Sequence, residues 1–123
     1  MSRRAAQLEI VATDLADAAA AARGGADRLE LCVDLACGGL TPPPELIASV
    51  RAAHPHLDLR VLLRPHDGPF TLRSGELRAL ELEVHRAREL GLQGVVIGAL
   101  GSDGAIDREA MRRLREEARP LEA

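Results

Sequence analysis

Short apolar runs alternate with longer amphipathic stretches along this 123-residue chain. The first apolar run is Leu8 to Ala12. An Ala-rich stretch from Asp14 to Arg23 follows, with Asp14 where a helix N-cap should stand and Gly24-Gly25 as a helix stop. The pattern then predicts a strand over Arg28 to Val33 and a loop over Asp34 to Thr41 that contains Gly38-Gly39. Thr41 is expected to open a helix with prolines in its first turn, running to Ala53. His54-Pro55 ends it, because the ring of a proline disfavours helical geometry in the residue before it. A third strand, Leu57 to Leu63, stops at Arg64-Pro65, and the loop from His66 to Leu72 leads to Ser74 as the next expected N-cap. The helix after it carries Leu77, Leu80, Val84, Ala87 and Leu90 at helical spacing, and Gly91 closes it. A fourth strand, Gly94 to Ile97, precedes a turn at Ser102-Asp103-Gly104. Asp107 is placed to cap the last helix, with Ile106 and Met111 positioned as a hydrophobic staple.

Strands separated by helices imply right-handed crossovers and a parallel sheet, either doubly wound or closed as a barrel. The turn after the first strand, Ala12-Thr13-Asp14, has no glycine, so no dinucleotide fingerprint exists and no nucleotide cofactor is expected. The strands carry central charges: Glu9, Glu30, and then Arg60 and Arg64, which share a face by the period of two. A dry two-sided sheet tolerates such charges badly, whereas a barrel lumen lets carboxylates and guanidiniums pair across strands. The pattern therefore favours the barrel.

Composition narrows the function. Every one of the 16 basic residues is Arg, so Schiff-base chemistry and a phosphate-loop lysine are excluded. Phe70 is the one aromatic residue and the net charge is -3, which gives nucleic acid neither a stacking platform nor a basic patch. No apolar run approaches a membrane span. The pair Arg3-Arg4 is followed by Glu9, Asp14 and Asp17 rather than an apolar signal core, so a cytoplasmic location is expected. Cys32 and Cys37 are then thiols rather than a disulfide.

Sites in parallel α/β folds lie at the carboxyl ends of the strands. Cys32, Asp34, Arg64, His66 and Asp67 fall there, with Glu9 and Glu30 lower. Glu30 and Arg64 are the catalytic candidates, since a planar guanidinium at a strand end can hold a carboxylate or phosphate bidentately. Equally, the two could only neutralise each other in a lumen. Glu9, His66 and Asp67 are candidate ligand-binding residues, the last two on a flap-like segment ending at Phe70. Cys32 and Cys37, spaced C-x4-C, could offer thiolates to Cu(I) or Zn, or serve as a small buried hydrophobe and a loop thiol. His54 and His56 sit at the opposite, amino-end face and read as surface residues.

Several of these segments together resemble the N-terminal half of the CutC family of copper homeostasis proteins. The resemblance rests on Leu8-Glu9-Ile10, on the run from Arg23 to Cys32, on Gly38-Gly39-Leu40-Thr41-Pro42 and on Arg64-Pro65. Gly94 to Leu100 and Asp103 to Asp107 complete it. It implies a TIM barrel, a cytoplasmic location and copper handling through cysteines that end the first two strands. The second such position is Cys32; the first falls on Val11, and Cys37 has no counterpart. His66, Asp67 and Pro69 also depart from the family's loop.

A complete barrel needs roughly 250 residues. The expected fold is thus α/β, a parallel (βα)4 unit corresponding to the N-terminal half of a TIM (β/α)8 barrel, over residues 1–123 and lacking strands five to eight. Three readings follow. The chain handles copper through Cys32 with help from Cys37 or His66; or it binds a small anionic ligand through Arg64 with Glu30 as acid or base; or it is a truncated homologue without a complete site. Its open first and fourth strands could then pair with a second copy as a homodimer.

Overall fold

The fold, taken from a computed structural model that describes residues 5–123, has the expected alternation. Strands β1 (Glu9–Ala12), β2 (Arg28–Leu31), β3 (Asp58–Leu62) and β4 (Gly94–Val96) alternate with helices α1 (Leu15–Arg23), α2 (Pro44–Ala53), α3 (Glu76–Glu89) and α4 (Arg108–Ala118). Arg3 and Arg4 lie outside the described residues. A single 3-10 turn, Leu35–Cys37, interrupts the loop after β2.

All three strand pairings are parallel and the spatial order is β1-β2-β3-β4. This order decides between the two expected architectures. A doubly wound sheet reverses its strand order at a switch point. Here the order never reverses, so right-handed crossovers place every helix on the same side. That is the first half of a (β/α)8 barrel: helices outside, the other sheet face turned toward a lumen.

Register separates the two faces. Leu29, Leu31, Leu59, Val61 and Val95 share the helix-facing side and are at most 3% exposed. They pack with Ile47, Val50, Leu80, Val84 and Leu114 from the helices into one core. Each such side chain contributes about 1.5–3 kcal/mol on burial, and with one aromatic in the chain the core is aliphatic throughout. The other face carries Glu9, Arg28, Glu30, Asp58 and Arg60 in matched register. Arg28 bonds Glu9 across strands at 2.9 Å, while Arg60 clamps Asp58 on its own strand at 3.0 Å and Glu122 at 2.9 Å. Next to β4, Glu122 pairs with Gly94 in parallel, taking the position of a further strand.

The helix starts bear out two expected caps and correct two others. Asp14 accepts the Asp17 N–H at 2.7 Å, and Asp107 accepts the Ala110 N–H at 3.0 Å. Thr41 does not open α2. Pro43 is the cap residue with Pro44 at the first helical position, where a missing N–H costs nothing. The Thr41 hydroxyl instead bonds the backbone N–H of Arg64 at 2.8 Å, tying the loop to the end of β3. Ser74 does not cap α3; Gly75 does, at φ 83°, and Glu76 accepts the Arg73 N–H from within the first turn. Ile106 is 66% exposed, so the expected staple with Met111 buries little. Among the described residues no helix is long and apolar enough to cross a membrane.

Candidate functional site

The carboxyl rim is built from two loops, Val33–Thr41 after β2 and Leu63–Leu72 after β3. Arg64 joins them. Its Nη1 donates to the carbonyls of Cys37 at 2.8 Å and Gly39 at 3.1 Å, and its Nη2 to the Gly68 carbonyl at 3.1 Å. Phe70 lies under the guanidinium at 4.6 Å, a cation–π contact. The Nε–H is buried and finds no hydrogen-bond partner among the described residues.

The Gly38-Gly39 pair is needed for this approach. Both glycines have positive φ, 96° and 102°. A Cβ on Gly38 would come within 3.2 Å of Arg64 Nη1, and one on Gly39 within 3.0 Å of Leu62 Cδ2. A side chain would crowd the guanidinium at Gly38 and the Leu62 and Cys32 side chains at Gly39, and at both it would be strained by the positive φ.

Arg64 and Glu30 are not brought together. Neither a salt bridge nor a hydrogen bond links them among the described residues, so the expected mutual neutralisation does not form. The cause is local: backbone carbonyls have taken the Arg64 fork. Glu30 faces Arg60 in register, but Arg60 is engaged by Asp58 and Glu122, whose hydrogen bonds raise its already high pKa. Burial, with the nearby Glu9 adding to it, pushes the Glu30 carboxyl above its ordinary pKa. Glu9 itself is bound to Arg28.

His66 stands at the rim with a partner that sequence reasoning missed. Its Nδ1 lies 2.7 Å from Glu76 Oε2, and the two side chains are 11% and 17% exposed. Burial pushes the Glu76 carboxyl up, but the Arg73 N–H and His66 outweigh it, so its pKa falls below the ordinary value. An ionised carboxylate can only accept, so Nδ1 is the nitrogen that donates in this pair. The ten-residue separation hides this pair in the sequence. A Glu in the first turn of a helix, close after a loop histidine, is the signal that could have found it. His66 and Arg64 line one small cavity with Phe70 and Gly98. Asp67 is exposed on the same loop, away from any ion pair among the described residues.

The cysteines do not make a metal cage. Cys32 is 2% exposed, and burial, with Glu30 adding to it, pushes its thiol pKa up. Copper(I) takes thiolates, which this setting disfavours. Cys37 Sγ donates to the Asp34 carbonyl at 3.3 Å. No group of three or more His, Cys, Asp or Glu that could hold a metal ion occurs among the described residues. The donor set present here therefore does not fit a closed copper site.

A larger groove of about 430 Å³ opens between β1 and α1, lined by Leu8, Ile10, Val11, Ala20 and Ala21 among others. It runs along β1, the end strand of the sheet, and its lining is mostly apolar. His54 and His56 line a shallow cleft at the amino end, as surface residues there should.

Comparison with known proteins places these features in a family. The model of the CutC family matches residues 6–123. The family protein CutC of Histophilus somni (strain 2336) is 41% identical over 114 residues, which are 93% of this chain and 46% of that protein. The family protein CutC of Caulobacter vibrioides (strain NA1000 / CB15N) is 40% identical over 121 residues, 98% of this chain and 49% of the relative. Among solved structures, a copper homeostasis protein CutC from Streptococcus agalactiae superposes with a TM-score of 0.85 at 32% identity. That superposition covers 94% of this chain and 56% of the other. The chain thus spans about half the length of the curated relatives it matches.

Proposed function

The chain belongs to the CutC family, and we propose that it serves a role in copper homeostasis, the one carried in the name of the Streptococcus agalactiae protein, through a barrel-mouth site for a small anion. The observation that carries this reading is the buried Nε–H of Arg64, which no group of the protein satisfies among the described residues. A buried donor without an acceptor costs about 1–3 kcal/mol. An oxyanion or carboxylate oxygen is the acceptor that a guanidinium edge fits best. The location agrees, since ligands of parallel α/β barrels bind at the carboxyl ends of the strands.

Glu30 lies below this site as a carboxyl with a raised pKa and no ion-pair partner among the described residues. It supplies acid or base character on the lumen face, where a bound ligand would be approached from beneath. Glu30 and Arg64 act separately in this reading, the one on protons and the other on charge.

The test is a thermal-shift screen of small oxyanions and carboxylates on the chain and on Arg64→Lys. Stabilisation of the wild-type chain by one class, lost in the variant, supports the reading. An identical response from both proteins sinks it.

Copper itself is the competing ligand. Cys32 stands at the strand end, as a family thiolate would. Its burial and the lack of a third donor among the described residues argue against a stoichiometric copper site in this chain. Titration with Cu(I) under a competing chelator is expected to show no binding that Cys32→Ser or Cys37→Ser removes. One equivalent of tight copper lost in Cys32→Ser would reverse that conclusion.

A further inference from the structure

We propose that the free edge of β1, with the groove beside α1, is the surface on which a second copy of this chain docks, β1 against β1 across a two-fold axis. This goes beyond the anion-binding reading and does not depend on it.

The two ends of the sheet are finished differently. At β4 the chain's own last residues already lie alongside. The Glu122 carbonyl accepts the Val95 N–H at 2.9 Å, and the Glu122 N–H donates to the Gln93 carbonyl at 3.1 Å. The outermost helix at that end, α4, is charged on its flank, with Arg112 bound to Glu109 and Glu116 and Arg113 bound to Glu81. At the other end β1 pairs with β2 alone among the described residues. The Leu8 and Ala12 carbonyls accept from the β2 side. By the alternation of a parallel ladder, Glu9 and Val11 turn their N–H and C=O groups outward, where an added strand would bond.

The side chains agree with the backbone. Leu8, Val11 and Leu15 are each close to half exposed, and they are three of the seven exposed large hydrophobics among the described residues. Ala20 and Ala21 of α1 wall the groove with Leu8, Ile10 and Val11, and such small residues let another helix approach closely. With β4 occupied, each copy offers one free edge. An edge joined to itself closes a two-fold dimer, whereas two different edges could add copies without end. Charge selects the same arrangement. Asp14 and Asp17 stand at the start of α1 and Arg23 at its end, so two antiparallel copies of α1 set the basic end of one beside the acidic end of the other. Register follows from the outward groups. Glu9 opposite Glu9 would repel. Glu9 opposite Val11, centred on Ile10, places both outward residues of each copy in bonded pairs.

The experiment is sedimentation equilibrium of the full chain from dilute to concentrated solution, with amide hydrogen exchange on the same samples. The mass should rise from one chain to two and stop there. The Glu9 and Val11 amides should exchange more slowly as the dimer forms, while the Glu122 amide keeps its protection throughout. Val11→Glu puts a carboxylate opposite Glu9, and Ala20→Arg fills the groove wall; each should weaken association by roughly tenfold or more. Leu82→Glu, at an exposed position on α3, should leave it unchanged.

A single-chain mass at every concentration overturns the proposal, as does a mass that grows past two copies. A dimer in which Glu122 loses its protection as Glu9 and Val11 gain theirs has paired β1 with β4, and the β1-on-β1 contact falls. A dimer that both edge variants leave intact has formed through another surface and overturns it too. The mass and exchange readings use the unmodified chain, so a variant that folds poorly does not decide the result.

Discussion

Two arginines at opposite ends of the sheet tie loops together through backbone carbonyls, and they finish differently. Arg51, near the end of α2, donates from Nη2 to the carbonyls of His54 at 2.5 Å and Leu57 at 2.7 Å. Its Nη1 reaches the Gly91 carbonyl at 3.3 Å and Gln93 Oε1 at 3.1 Å, and Gln93 in turn accepts the Leu59 N–H. Each terminal nitrogen of this amino-end arginine thus has two acceptors, and the group closes a structural corner. Arg64 at the carboxyl end has three carbonyl bonds and a stacked Phe70, yet keeps a buried Nε–H without a partner. The same residue type, in the same tying role, spends both terminal nitrogens on carbonyl or amide oxygens at each end, and only at the carboxyl end is the Nε–H buried without a partner among the described residues. Barrel folds divide labour in this way, with stability at the amino end and chemistry at the carboxyl end.

The sharpest way to break the contrast is to delete each arginine in turn. Arg51→Ala orphans two part-buried carbonyls and frees Gln93 from its brace, so urea unfolding should show a loss of about 3 kcal/mol. Arg51→Lys should recover only part of it, because an ammonium cannot span the fork. Arg64→Ala should cost less, about 1–2 kcal/mol, because it orphans the part-buried Cys37 and Gly39 carbonyls but also removes a buried Nε–H that has no partner among the described residues. Its larger effect should be functional: loss of the response to oxyanions. Equal destabilisation by the two changes, with no functional difference, would erase the distinction.

Glu76 at the rim and Glu30 on the lumen face below it should respond oppositely to pH. Glu76 has a folded pKa lowered below its ordinary value near 4.5. It therefore contributes stability that is fully present above that value and is lost as pH falls through the folded pKa. Acid unfolding of Glu76→Gln should consequently show a shallower loss below pH 4.5 than the wild-type chain. Glu30 has a raised folded pKa. It favours folding most when protonated, and that advantage disappears as pH rises from the ordinary carboxylate range through the folded pKa. Glu30→Gln should accordingly gain a little stability at pH 7, less than about 1 kcal/mol after solvent screening. A loss of stability at pH 7 would mean that Glu30 has an attractive partner at neutral pH.

Much of the fold was legible in the hydrophobic pattern. The alternation of strand and helix, the Asp14 and Asp107 caps and the apolar face of α3 follow from residue types acting over a turn or two. The charges in the strands pointed to a lumen face, and the order β1-β2-β3-β4 bears that out. What escaped was decided by tertiary competition. Thr41 has the chemistry of a cap, but the backbone of Arg64 claimed its hydroxyl. Ser74 was displaced by Gly75, which takes a left-handed conformation that serine adopts at a cost. The site was legible as a rim and illegible as a set of pairs. Arg64, His66 and Cys32 could be placed there by strand ends alone. That Arg64 would face carbonyls rather than Glu30, and that His66 would find Glu76, depends on loop paths that no periodicity encodes.

The most direct measurement follows both arginines in one experiment. In ¹⁵N spectra of the full chain titrated with inorganic phosphate, the Nε–H of Arg64 should shift saturably while that of Arg51 stays in place. Movement of both in parallel, or of neither, would contradict the division between a closed amino end and a ligand-receiving carboxyl end.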